Sequence, residues 1–187
     1  MNSTIVQEMS LAGRGLIAVL FGKSDASDYF DLTLRGLATS MIAFLLAATF
    51  NAFFPGVLTE GANAAGEAQV PPSAASAMVL VSLLFVLQTA FGAMALQQFG
   101  KISGLVPYLV VSNWANFFFT AFFTLLRMFD ISAEVFLVLM ATILIVSEVN
   151  ILRLITKLKF MQIAMFLVAQ LVGTLSALMV FEVINPG

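Results

Sequence analysis

Few residues in this 187-residue chain could do chemistry, and most of those that could lie inside long apolar stretches. Asn113, Asn116, Thr120, Thr124 and Arg127 follow one another at intervals of 3, 4, 4 and 3. On a helix these spacings share one face, so the five side chains form a polar stripe. Gln88 and Gln170 each stand alone near the middle of an apolar stretch. A carboxamide both donates and accepts, so such a set can line a polar pocket or a permeation path. It can equally bond helix to helix, at on the order of 1 kcal/mol per contact. The sequence favours the second use, with Gln88, Asn113, Asn116 and Gln170 satisfying one another in a dry central layer.

Glu148 is the ionisable residue with most chemical interest. It lies about 6 Å inside the end of its apolar stretch, taking 1.5 Å per residue. A carboxylate at that depth needs a partner, and Lys101 and Arg153 are the expected ones, with Asn150 bonding in the same cluster. Proton or cation handling is the functional alternative to this inner-edge ion pair. Asp25, Asp28 and Asp31 form an acidic group that lacks the glycine and terminal glutamate of a calcium loop. Helix capping and an Asp31–Arg35 pair explain them.

The chain has no cysteine and no histidine. Disulfides, thiolate nucleophiles and soft-metal sites are therefore absent, as is the side chain best suited to proton transfer near neutrality. No nucleophile–base constellation and no phosphate-binding glycine pattern is present. The expectation is a non-enzymatic protein with no catalytic residue, no cofactor and no metal. Without a basic run it binds no nucleic acid.

The elements that must position these residues are five apolar stretches at 36–58, 76–98, 105–126, 131–152 and 160–182. Each supplies the ~20 residues that cross a ~30 Å hydrocarbon core. With 61% hydrophobic residues the chain is too apolar for a water-soluble domain. It reads as an all-α polytopic membrane protein, with residues 36–182 as a five-helix transmembrane domain and 183–187 as an outside tail. Residues 1–35 are a cytosolic or interfacial segment. Within it, the apolar run Leu16–Phe21 is too short for a span and lacks a basic leader, because no Lys or Arg precedes Arg14. Ile5–Phe21 is either an amphipathic helix on the membrane surface or a frayed tail.

Arg14, Lys23, Arg35, Lys101, Arg153, Lys157 and Lys159 fall on one side of this arrangement, and Arg127 alone on the other. The positive-inside rule then places the N-terminus inside and the C-terminus outside. Tight links predict that spans two to five pack as sequential antiparallel hairpins. The loop at about 59–75, with Glu60, Glu67 and the pair Pro71–Pro72, is the long outside connection. Ala169, Gly173 and Ala177 in the last span, and Ala43, Ala47 and Asn51 in the first, recur every four positions. Such faces let helices approach closely in lipid, and packing within the chain is the expected use. Trp114 is too deep for an interfacial belt and is expected to anchor packing. Phe118, Phe119, Phe122 and Phe123 are expected to face lipid or neighbouring helices.

Five spans with short hairpin links, together with the run Pro107–Tyr108–Leu109–Val110–Val111–Ser112–Asn113–Trp114–Ala115–Asn116, resemble the Ypt/Rab-interacting (Yip) membrane-protein family over about residues 28–182. The run is similar to the third span of small bacterial members. The resemblance implies a bacterial inner-membrane protein. Eukaryotic members are associated with vesicle trafficking and small GTPases, a role for which the segment before the first span is short. Function is therefore expected to be that of a non-enzymatic membrane scaffold or interaction protein. Its partners would be the lipid bilayer, other membrane proteins or a second copy of the chain. The alternative is a small-solute transporter or channel using the stripe on the third span. The charge asymmetry makes orientation testable: a cytoplasm-active reporter fused after Lys159 is expected to be active and one within Gly61–Gly66 inactive, and the reverse pattern refutes the five-span orientation.

Overall fold

A computed structural model describes residues 5–53, 73–129 and 131–184. Among the described residues six α-helices run in order: α1 (Ile5–Leu20), α2 (Leu34–Phe53), α3 (Ala74–Gln98), α4 (Leu105–Leu126), α5 (Ala133–Leu154) and α6 (Phe160–Ile184). Short 3-10 turns at Ala26–Tyr29 and Ile102–Gly104 precede α2 and α4. Five helices, α2 to α6, are long and apolar enough to span a membrane. The glutamates and prolines expected in the long outside loop, the last five residues of the first expected span and the C-terminal tail from Asn185 lie outside the described residues.

Local chemistry sets the helix ends. Gly22 and Gly100 both take positive φ. Behind each, paired backbone bonds (Gly22 to Val19 and Lys23 to Ala18; Gly100 to Gln97 and Lys101 to Leu96) close a Schellman stop. Ser73 and Ser132 cap α3 and α5 through their hydroxyls. Ahead of α2, Asp31 accepts from both the backbone N–H (3.2 Å) and hydroxyl (2.6 Å) of Thr33. Thr33 Oγ1 in turn accepts from Gly36 N–H, in the first turn of α2. The cap on α2 is therefore Thr33, and Asp31 holds that threonine from behind rather than capping the helix itself. The Asp31–Arg35 pair does not form, because Arg35 reaches across to Glu8 at 3.3 Å.

The helices do not pack as sequential hairpins. The closest pairs are α3 with α6 and α2 with α4. In the first, Gln88 meets Thr174 and Gly92 meets Phe166, so residue numbers run in opposite senses and the pair is antiparallel. In the second, Ser40 meets Asn113 and Asn51 meets Thr120, so the pair is parallel. Backbone proximity is the reason. A Cβ added at Gly173 would lie 3.0 Å from Gln88 Cα and 3.0 Å from Leu87 O, so α6 touches the α3 backbone itself. The buried Ala43 and Ala47 give α2 the same flat face toward α4. Short links only bring consecutive helices near one another; small faces decide which of them meet.

The segment before the first span is a helix, not a frayed tail. α1 packs on α4 and α5, burying Ala12, Leu16 and Val19. Its last-turn carbonyls are held by Asn150, whose amide donates to Val19 O at 2.9 Å and Leu20 O at 3.4 Å. The face turned outward is apolar, with Val6 68% and Phe21 77% exposed. Trp114 is buried among Phe117 and Phe118, the packing role expected of it. Phe119 and Phe123 are buried between helices while Phe122 is exposed.

Because the α3–α6 contact is backbone on backbone, Gly173→Val is expected to destabilise the bundle by about 1–3 kcal/mol through overpacking. Leu175→Ala, at a side chain 50% exposed on the same helix, is expected to stay within about 0.5 kcal/mol. Unfolding in mixed micelles measures both.

Candidate functional site

α4 presents Tyr108, Ser112, Ala115, Asn116 and Phe119 to a cavity of about 200 Å³ enclosed with α3, α5 and α6. Residues 108, 112, 115 and 119 recur at helical spacing and define the lining face. Gln88 of α3, Ser147, Glu148 and Ile151 of α5, and Gln170 of α6 complete the wall. At this size the cavity admits water or a small solute, since one water needs only ~10–15 Å³ by a comparable measure.

The hydrogen bonds converge on one phenol. Tyr108 donates its hydroxyl to Glu148 Oε1 at 2.8 Å, and the Tyr108 hydroxyl oxygen accepts from the Gln170 amide. A tyrosine hydroxyl has one proton to give, so this chain has a fixed direction, from Gln170 through Tyr108 to Glu148. The ring is seated edge-on against Phe166 at 5.2 Å between centroids. Phe166 in turn lies over Gly92, where a Cβ would come within 3.0 Å of it. A second link, Gln88 to Thr174 Oγ1 at 2.8 Å, ties α3 to α6 one turn further along.

Other polar groups remain available to an occupant. Asn116 donates to Ser112 O at 3.1 Å, within its own helix, and is otherwise open to the cavity. Ser112 Oγ is buried in the cavity wall, one helical turn along α4 from Tyr108. Glu148 is the one charged residue among those lining the cavity. An oxygen-rich wall with a single carboxylate and no basic side chain favours a small cation or a hydrogen-bonding donor over an anion.

Several sequence expectations change here. The Glu148–Lys101 or Glu148–Arg153 ion pair does not form: among the described residues the salt bridge is Glu8–Arg35. Arg153 follows Glu148 by five residues, about 140° around the helix, and points to Gly22 just after α1 instead. Lys101 is exposed in the turn before α4. Asn150 does not join Glu148 but caps α1. The central amides do not form one layer either. Asn113 is fully buried on the α2 side, donating to Ser40 Oγ at 3.2 Å and lying against Met41 Sδ. Asn116, about 60° around the helix, faces the cavity with Gln88 and Gln170.

The stripe is likewise divided among neighbours. Thr120 accepts from Asn51 of α2 at 3.4 Å. Thr124 bonds back to Thr120 O. Arg127 lies 4.6 Å over the Phe136 ring of α5, a cation–π contact. The stripe therefore mainly joins helices, and only Asn116 contributes to the cavity. Sequence reasoning missed Tyr108, Ser112, Ser147 and Thr174. The Tyr108–Ser112 pair, four apart in an apolar run and facing Glu148 at the same end of the bundle, was the available signal.

No protein-family model matches the chain, and neither a curated protein nor a solved structure matches it. The direct Tyr108–Glu148 bond is checked by a double-mutant cycle. Tyr108→Phe and Glu148→Gln are expected to couple by about 1 kcal/mol in unfolding, whereas Lys101→Gln and Glu148→Gln are expected to be additive within about 0.5 kcal/mol.

Proposed function

We propose that this chain is a non-enzymatic integral membrane transporter that binds a small cation or protonated amine at Glu148. The observation that carries this reading is a carboxylate inside a spanning bundle, facing an oxygen-lined cavity that contains no basic side chain. A charged group at such depth is expensive, and it marks a solute or ion path when it faces a cavity rather than an ion-pair partner. Ser112 and Asn116 line the same wall and supply further polar contacts to an occupant. No cofactor and no nucleic acid enters this proposal.

The proposal keeps the orientation implied by charge, with the seven basic residues at the α1 end facing the cytoplasm, and the bacterial inner-membrane address implied by the resemblance. A second reading, a scaffold of Yip-like architecture acting through other membrane proteins or a second copy, has its own support. Asn113–Ser40 and Asn51–Thr120 use polar side chains for helix association alone.

Proteoliposomes on a solid-supported membrane separate the two. Rapid jumps in sodium, potassium or methylammonium concentration are expected to give currents absent from protein-free liposomes. Glu148→Gln should reduce the response about tenfold or more, the equivalent of the ~1.5–3 kcal/mol carried by a hydrogen bond to a charged group. A cysteine at Asn116, in a chain with no native cysteine, should react with a small thiol reagent and be protected by the transported cation. If no cation gives a current and the cysteine stays unreactive, the transporter reading falls and the scaffold reading stands.

A further inference from the structure

We infer that the groove between α1 and α4–α5 is a site for an anionic phospholipid of the surrounding leaflet, with one acyl chain along the groove and its phosphate on Arg14. The groove is roughly 630 Å³ and runs from Ile17 of α1 past Phe118 and Phe122 of α4 to Ile143 of α5. Its floor exists because α1 has no side chain at Gly13, where a Cβ would already touch the Phe118 ring at 3.3 Å. The walls are almost wholly apolar, and the polar groups are confined to one edge, where Ser10 and Arg14 lie four apart on α1. That arrangement matches a lipid end to end: hydrocarbon along the groove, phosphate at its basic rim.

Charge complementarity selects the headgroup. Arg14 is exposed, and among the described residues it has neither an ion pair nor a hydrogen bond. A guanidinium suits phosphate oxygens through its paired donors. Lys23, Lys101 and Arg153 lie at the same end of the bundle, but so do the acidic Asp25, Asp28 and Asp31, so the selection rests on Arg14 itself. Glu8, the acid of α1, is buried and held by Arg35. Ile17 of α1, Phe118 and Phe122 of α4 and Ile143 of α5 continue the groove from Arg14 along the spanning helices. Both ends of α1 are tied to the bundle, Glu8 to Arg35 in the first turn of α2 and Val19 to Asn150 near the end of α5. The proposal is independent of what occupies the Glu148 cavity, although Phe119 forms a wall of both spaces.

The chain's one tryptophan gives the readout. Trp114 is buried, with its ring 6.1 Å from that of Phe118, a wall of the groove. Full-length protein would be reconstituted in phosphatidylcholine vesicles containing a small fraction of chain-brominated lipid, either phosphatidylglycerol or phosphatidylcholine. The anionic brominated lipid is expected to quench Trp114 with a roughly five-fold lower half-saturating fraction, matching the attraction of one basic side chain near an anionic surface. Unbrominated phosphatidylglycerol should reverse the quenching. Arg14→Gln should abolish the preference, Arg14→Lys should retain most of it, and Lys23→Gln should leave it in place. Circular dichroism verifies that each variant keeps its helices. Equal quenching by both lipids, no quenching by either, or a preference that survives Arg14→Gln overturns the site.

Discussion

Contact between the backbones of α3 and α6 at Gly173 organises this bundle. Lipid offers helices no hydrophobic reason to associate, so attraction must come from close van der Waals contact and from polar side chains that find one another. Removing the side chain at position 173 brings α6 onto Leu87 and Gln88. At that distance Gln88 reaches Thr174, and Gln170, one turn earlier on α6, reaches Tyr108. The cavity is what remains on the α4 and α5 side of this contact. Its walls are fixed by helix packing rather than by loops, which is the setting in which a binding geometry can be held closely.

The second pair, α2 with α4, does different work with similar means. Ala43 and Ala47 give a flat face, and Ser40 and Asn51 place hydrogen bonds at either end of it. Around this pair α1 is held by three kinds of tie: the Glu8–Arg35 bridge, the Asn150 amide on its last carbonyls, and the seat of Gly13 on Phe118. The N-terminal helix is therefore an integral part of the fold.

What the sequence made legible follows from which signals are local. Apolar length identified all five spanning helices, and helical spacing identified the small faces on α2 and α6. Neither signal says which helix a face will meet, and the short links wrongly favoured chain neighbours. The candidate site shows the same limit. Glu148 stood out as a buried carboxylate, but its partner was sought among basic residues because Tyr108 reads as part of an apolar run. Tyrosine is both: here its ring packs on Phe166 while its hydroxyl serves Glu148. Asn113 and Asn116 lie close enough in angle to pass for one stripe, yet their ~60° offset is enough to send them to different neighbours.

The pairing of α3 with α6 also sets a timetable for biogenesis. Gln88 and Thr174 are 86 residues apart in the chain, a separation that takes roughly 4–17 s to synthesise at 5–20 residues per second. Through that interval α3 is in the bilayer without the helix that satisfies its amide, while α2 gains its own main partner as soon as α4 emerges. The nascent protein therefore passes through a stage in which α2 and α4 are matched and α3 still presents a polar group and a bare flank. Whatever escorts it through insertion, lipid, translocon or chaperone, must shelter that flank until the last helix arrives.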